Sequence, residues 1–169
     1  MKMIFDIETD DLNATKIWCI VAKELDGEVY KFGPDKILDG LELLKSADTL
    51  IGHNIIGFDL PVLKRLHDFD YDGDLLDTLV MSRLYNPVRE NGHSLKTWGY
   101  RVGMYKKEQP EDFTEYTPRM LDYCLGDVLL NEKVFTYLEN EGRGFNPDSL
   151  QLEQRVAQIM LEQENTGFY

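Results

Sequence analysis

The run Met3-Ile4-Phe5, followed at once by Asp6-Ile7-Glu8, constrains this chain more than any other stretch. Side chains alternate across a strand, so Asp6 and Glu8 emerge on one face, two residues apart. A strand that ends in paired carboxylates can hold a divalent cation, because hard ions such as Mg²⁺ and Mn²⁺ favour oxygen ligands. A two-metal phosphoryl-transfer site needs further carboxylates, delivered to the same point from separate elements.

Two later segments offer them. Gly52-His53-Asn54-Ile55-Ile56-Gly57-Phe58-Asp59 follows the short apolar run Thr49-Leu50-Ile51 and leads into Leu60-Pro61-Val62-Leu63. This reads as a loop opening a helix with Pro61 in its first turn, which puts Asp59 near a helix N-terminus. Tyr123 and Asp127 lie in the helical pattern Met120, Leu121, Cys124, Leu125, Val128, Leu129. Residues four apart share a helix face, so the phenol and the carboxylate point the same way.

Strand-like runs are expected at about 2–6, 16–23, 28–33 and 49–52, with turns at Asp10-Asp11 and Asp26-Gly27, which implies a meander at the start. Amphipathic patterns follow at about 36–47, 59–67, 77–85, 94–102 and 117–140, with a short apolar piece near 74–76. Three strands in sequence, then alternating strand and helix, predict an α/β fold: a mixed β-sheet flanked by α-helices. In open sheets of this kind the reacting groups gather at strand ends. Asp77 reads as an N-cap for the helix beginning Thr78-Leu79-Val80, and His93 as a cap or packing residue.

At 169 residues and 43% hydrophobic the chain suits one globular core, burying roughly 70% of its unfolded surface. The first apolar run is too short for a signal peptide and no stretch approaches a membrane span, so a cytoplasmic protein is expected, in the host cytoplasm if viral. Cys19 and Cys124 sit among apolar neighbours and read as free buried thiols. A net charge of −13 argues by itself against nucleic-acid binding. Residues 83–107 are the exception: Arg83, Arg89, Lys96, Arg101, Lys106 and Lys107 stand against Glu90 alone. Two readings of that island remain, a face for a DNA backbone and an ordinary solvated surface.

The order Asp-x-Glu, Asn-x-x-x-Phe-Asp, Tyr-x-x-x-Asp resembles the DEDD superfamily of 3′→5′ exonucleases in its tyrosine subclass. Within it, the chain is similar to the N-terminal proofreading domains of family A DNA polymerases from T-seven-like phages. Leu76-Asp77-Thr78-Leu79-Val80-Met81-Ser82-Arg83-Leu84 and His93-Ser94-Leu95-Lys96-Thr97-Trp98-Gly99-Tyr100-Arg101-Val102-Gly103 extend the likeness essentially end to end. His67 and Asp72 have the spacing of the histidine branch but fall too early in the order, so the tyrosine subclass is favoured.

The resemblance implies a ribonuclease H-like fold and a two-metal site using Mg²⁺ or Mn²⁺. Asp6 would bridge the ions, Glu8 and Asp127 would complete the water-activating shell, and Asp59 would help hold the second ion. Glu8 and the Tyr123 hydroxyl would orient the attacking water. The activity implied is release of 5′-mononucleotides from the 3′ end of single-stranded or frayed DNA. The alternatives are a 3′→5′ exoribonuclease of the same fold, or an inactive nucleic-acid-binding or polymerase-scaffold domain. For substrate contacts it suggests Thr9, Leu12 as a wedge against the terminal bases, and Asn54 in the cleft. Leu12 read as a buried turn residue, and Asn54 read as an Asx-turn, stay open beside these.

The glycines and proline of Glu141-Gly142-Arg143-Gly144-Phe145-Asn146-Pro147 mark a boundary, giving an exonuclease domain at 1–145 and a helical extension at 146–169. That extension carries a sparse apolar stripe, Leu152, Val156, Ile159 and Met160, and resembles the lead-in to a polymerase domain. The polymerase domain is then expected in cis or in trans, the chain being either a piece of a longer protein or a separate exonuclease.

Overall fold

The computed structural model describes residues 1–167; the last two positions of the 146–169 extension, Phe168 and Tyr169, lie outside the described residues. Among the described residues five strands form one sheet: β1 (Lys2–Thr9), β2 (Ile17–Glu24), β3 (Val29–Phe32), β4 (Thr49–Gly52) and β5 (Asp74–Asp77). Their order across the sheet is β3-β2-β1-β4-β5. The first three make the expected antiparallel meander, while β4 and β5 run parallel to β1. The helices are α1 (Ile37–Lys45), α2 (Asp59–His67), α3 (Thr78–Tyr85), α4 (Leu95–Val102), α5 (Pro118–Glu141) and α6 (Pro147–Thr166). The architecture is the mixed sheet flanked by helices that the sequence pattern predicts.

Strand alternation sorts the core into two layers. Met3, Phe5 and Ile7 of β1 face a cluster with Leu41 and Leu44 of α1 and Val62 and Leu63 of α2. Ile4, on the opposite face, packs with Cys19, Val21, Ile51 and the inner side of α5, including Cys124, Val128, Phe135 and Leu138. Each fully buried large side chain contributes about 1.5–3 kcal/mol. Asp6 and Glu8 continue the Ile4 face, so they turn toward α5. Cys19 and Cys124 are free and buried.

Trp98 is fully buried, donates Nε1 to Ser82 Oγ at 3.1 Å, and takes the Arg89 and Arg101 guanidiniums at 4.5 and 5.1 Å from its ring. This accounts for much of the basic island. Arg89 is buried in an ion pair with Glu141 at 2.6 Å, and Arg101 donates to the Gly92 and Glu90 carbonyls. Lys107 donates to the Asp122 carbonyl at 3.0 Å, its stem crossing α5 where Gly126 has no Cβ to block it. Most of these cations answer local partners, so the island is not one continuous DNA-facing patch. Charge counting could not foresee this, because Glu141 lies far along the chain and the carbonyl and ring partners carry no formal charge.

Of the apolar stripe noted in the extension, Leu152, Ile159 and Met160 are exposed and Val156 is half-buried; Gln154 is buried and Leu150, Ala157 and Leu161 are half-buried where α6 rests against α3 and β5. Among the described residues no helix is long and apolar enough to cross a membrane.

Candidate active site

Because β1 and β4 run parallel, the end of β1 and the loop after β4 open on the same edge of the sheet, beside the first turns of α5. Together they line a cleft of about 420 Å³. Asp6, Glu8, Thr9, Leu12, Asn54, Asp59, Tyr123 and Asp127, every site residue singled out from sequence, border it. The β1–β2 register shifts between Glu8 and Thr9, which pair with Cys19 and Ile17, leaving Trp18 of β2 as the extra residue there.

Asp59 is the first residue of α2 and is buried, its Oδ1 accepting from the Ile7 amide at 3.3 Å. The loop before it is pinned by Asp77. That carboxylate caps α3 by accepting from the Leu79 amide at 2.9 Å, and also accepts from the amides of Asn54 at 2.8 Å and Ile56 at 3.0 Å. Asn54 sits in the left-handed region with φ of 66°, which asparagine tolerates better than most residues. Its backbone N–H holds the loop, and its side chain borders the cleft. Leu12 is 83% exposed at the rim, which removes the buried-turn reading. Thr9 is buried, its hydroxyl donating to the Asp11 carbonyl at 2.9 Å.

Four carboxylates share this small space at an electrostatic cost. Burial and the neighbouring Asp127 charge push Asp6 up to about 7. Burial and the Asp6 charge push Glu8 up to about 10. Burial and Asp6 also hold Asp59 well above the usual carboxylate range. Asp127 is raised by burial, and Lys106 works against that rise.

Lys106 comes from the irregular segment after α4. Its Nζ lies 2.6 Å from Asp127 Oδ2 and 5.0 Å from the centre of the Tyr123 ring. Trp18 Nε1 anchors the same segment by donating to the Phe113 carbonyl at 2.7 Å. Lys106 is the functional candidate that reasoning from sequence missed as an individual. Membership of the basic island was its sole signal. His53 and Gln109 also line the cleft. Burial and the Lys106 charge push His53 down to about 4, so its ring is neutral near pH 7.

The donor set fits a hard divalent cation. Ligand atoms of Asp6, Glu8 and Cys124 lie within 4.8 Å of one another, and the Cys124 thiol sits 3.5 Å from Asp6 Oδ2 beneath the carboxylates. Among the described residues Asp127 Oδ1 is buried without a hydrogen-bond partner, an expensive state that a cation would relieve. Asp59 and Asp127 border the same cleft but are engaged by the Ile7 amide and by Lys106. The acids are therefore gathered but not closed into a single ligand shell.

No family model matches the chain. It is 24% identical to the DNA-directed DNA polymerase of Enterobacteria phage T3, over 98% of this chain and 33% of the polymerase. The chain thus spans about a third of the length of that relative. Among solved structures, Brucella melitensis NrnC is similar at 20% identity and a TM-score of 0.76, covering 98% of this chain and 85% of that one. It has been seen bound to pGG and with bound Mg²⁺. Escherichia coli RNase D, an exoribonuclease involved in structured RNA processing, is similar at 17% identity and a TM-score of 0.71, over 96% of this chain and 45% of that one. At these identities the solved structures show a shared ribonuclease H-like fold, and the similarity to a phage DNA polymerase runs along nearly the whole of this chain.

Proposed function

We propose that this domain hydrolyses the terminal phosphodiester bond at the 3′ end of single-stranded or frayed DNA, releases 5′-mononucleotides, and serves as the proofreading activity of a phage DNA polymerase. The observation that carries this reading is the meeting of Asp6, Glu8, Asp59 and Asp127 with Tyr123 in one cleft at the strand ends. Residues 1–145 form the nuclease in this reading, 146–169 an extension toward a polymerase domain present in cis or in trans.

Asp6, Glu8, Asp59 and Asp127 would hold two divalent ions, Mg²⁺ or Mn²⁺, which when bound supply an activated water and neutralise charge on the departing 3′-oxygen. Tyr123 orients that water. Burial holds its phenol above the usual value, so it remains a protonated hydrogen-bond donor. Lys106, which borders the cleft and pairs with Asp127, would offer a point charge to the scissile phosphate. Leu12 presents an apolar wedge to the terminal bases, and unstacking them favours frayed ends. Thr9 and Asn54 shape the slot for the last nucleotide.

The test is a gel assay on 3′-tailed DNA and matched RNA, with Mg²⁺ or Mn²⁺, beside Asp6→Ala. Shortening of the DNA from its 3′ end, lost in the variant and with chelator, is the expected result. Digestion that survives Asp6→Ala would refute the assigned site. The likeness to RNase D favours a second reading, an exoribonuclease, and preferential digestion of the RNA would promote it.

A further inference from the structure

α6 buries one side chain among the described residues, and it is a glutamine. Gln154 is 5% exposed, although Leu152, Ile159 and Met160 of the same helix face solvent. A buried amide is unfavourable unless both of its ends are bonded. Here both are: Oε1 accepts from the Asp77 amide at 3.1 Å, and Nε2 donates to the Asp77 carbonyl at 3.2 Å. β5 is the edge strand of the sheet, and Asp77 ends it. The N–H and C=O of one strand residue point the same way, so the Gln154 side chain does what another strand would do at that position.

Asp77 is also the residue whose carboxylate accepts from Asn54 and Ile56. Its main chain is thus tied to α6 and its side chain to the loop that leads to Asp59. We propose that Gln154 is a positioning residue for the nuclease site: its amide clamps the end of β5, and Asp77 passes that constraint into the loop carrying Asn54 and Asp59. The extension beyond residue 145 then sets the geometry of the cleft without touching it. This rests on the two-metal reading only for its effect on digestion, not for the coupling itself.

The experiment uses the full chain and Gln154→Met, which keeps the length of the side chain and removes both hydrogen bonds. Amide exchange at Asn54 and Ile56 should quicken about tenfold, and half-saturating Mg²⁺ for digestion should rise by a similar factor. Excess Mg²⁺ should restore turnover, which simple loss of packing elsewhere would not produce. A folded variant with unchanged exchange at those amides, or unchanged Mg²⁺ demand, overturns the proposal. If the variant does not fold, the wild type decides. Coupling is reciprocal, so adding Mg²⁺ should shift the side-chain amide resonance of Gln154, and a resonance unmoved at saturation also overturns it. A shifted resonance in a protein that digests neither DNA nor RNA would sink the proposed function and leave the coupling standing.

Discussion

Removing the Lys106 charge should tighten metal binding while slowing digestion. Lys106 Nζ occupies Asp127 Oδ2 at 2.6 Å, with the lysine side chain 26% exposed and the aspartate 6% exposed. Oδ1 is open to a cation, but a cation that takes both Asp127 oxygens must break this pair. A hydrogen bond between charged groups is worth about 1.5–3 kcal/mol. At about 1.4 kcal/mol per factor of ten, Lys106→Met should lower the apparent metal Kd roughly tenfold to a hundredfold. Methionine keeps most of the stem beside the Tyr123 ring, so packing is largely retained. Mn²⁺ binding by calorimetry, beside single-turnover digestion of 3′-tailed DNA, reads both effects. Lys106 also opposes the rise of Asp127, so protons hold that carboxyl more firmly in the variant, and the titration belongs at alkaline pH. Metal affinity unchanged or weakened in a folded Lys106→Met would refute the competition. Digestion as fast as wild type would refute the phosphate contact.

Further outcomes follow from the same geometry. Asp6→Ala should cut turnover by at least about a hundredfold, as loss of several kcal/mol of transition-state stabilisation requires, with a melting temperature that holds or rises because a buried like charge is gone. Leu12→Ala should leave stability within about 0.5 kcal/mol, since the side chain faces solvent, but slow digestion of paired 3′ ends more than of single-stranded tails, read as a ratio of rates. Mg²⁺ or Mn²⁺ at about one hundred times its Kd should add about 2.7 kcal/mol to unfolding free energy, and chelator should reverse the gain in a thermal melt. Burial raises Asp10, but the hydrogen bonds from Thr15 and the Lys16 amide together outweigh it and lower the carboxyl to about 2. Its folded value lies below the ordinary aspartate value, so its stabilisation is present above about pH 4 and fades as pH falls toward 2. Thr15→Val should move its carboxyl titration in NMR back toward the ordinary range.

The secondary elements were legible because they are written in local periods. The helix expected at 59–67 is α2 residue for residue, and the run expected at 117–140 is α5 displaced by one position. Alternation put Asp6 and Glu8 on one face of β1, and four-residue spacing aligned Tyr123 with Asp127; that the two pairs meet in one cleft depends on how β1, β4 and α5 pack. The cap at Asp77 was readable for the same reason.

What tertiary structure alone decided has no period. Lys106 reaches Asp127 from an irregular segment, Arg89 is spent on Glu141 and Trp98, and Gln154 bonds Asp77 from 77 residues away. In α6 the buried position is a polar one, because the surface it meets ends in the unpaired backbone of an edge strand, which an amide satisfies and a leucine cannot. The amino-acid sequence set which side chains could share a face. The folded chain determined which charges had already been answered before any ion or substrate arrives.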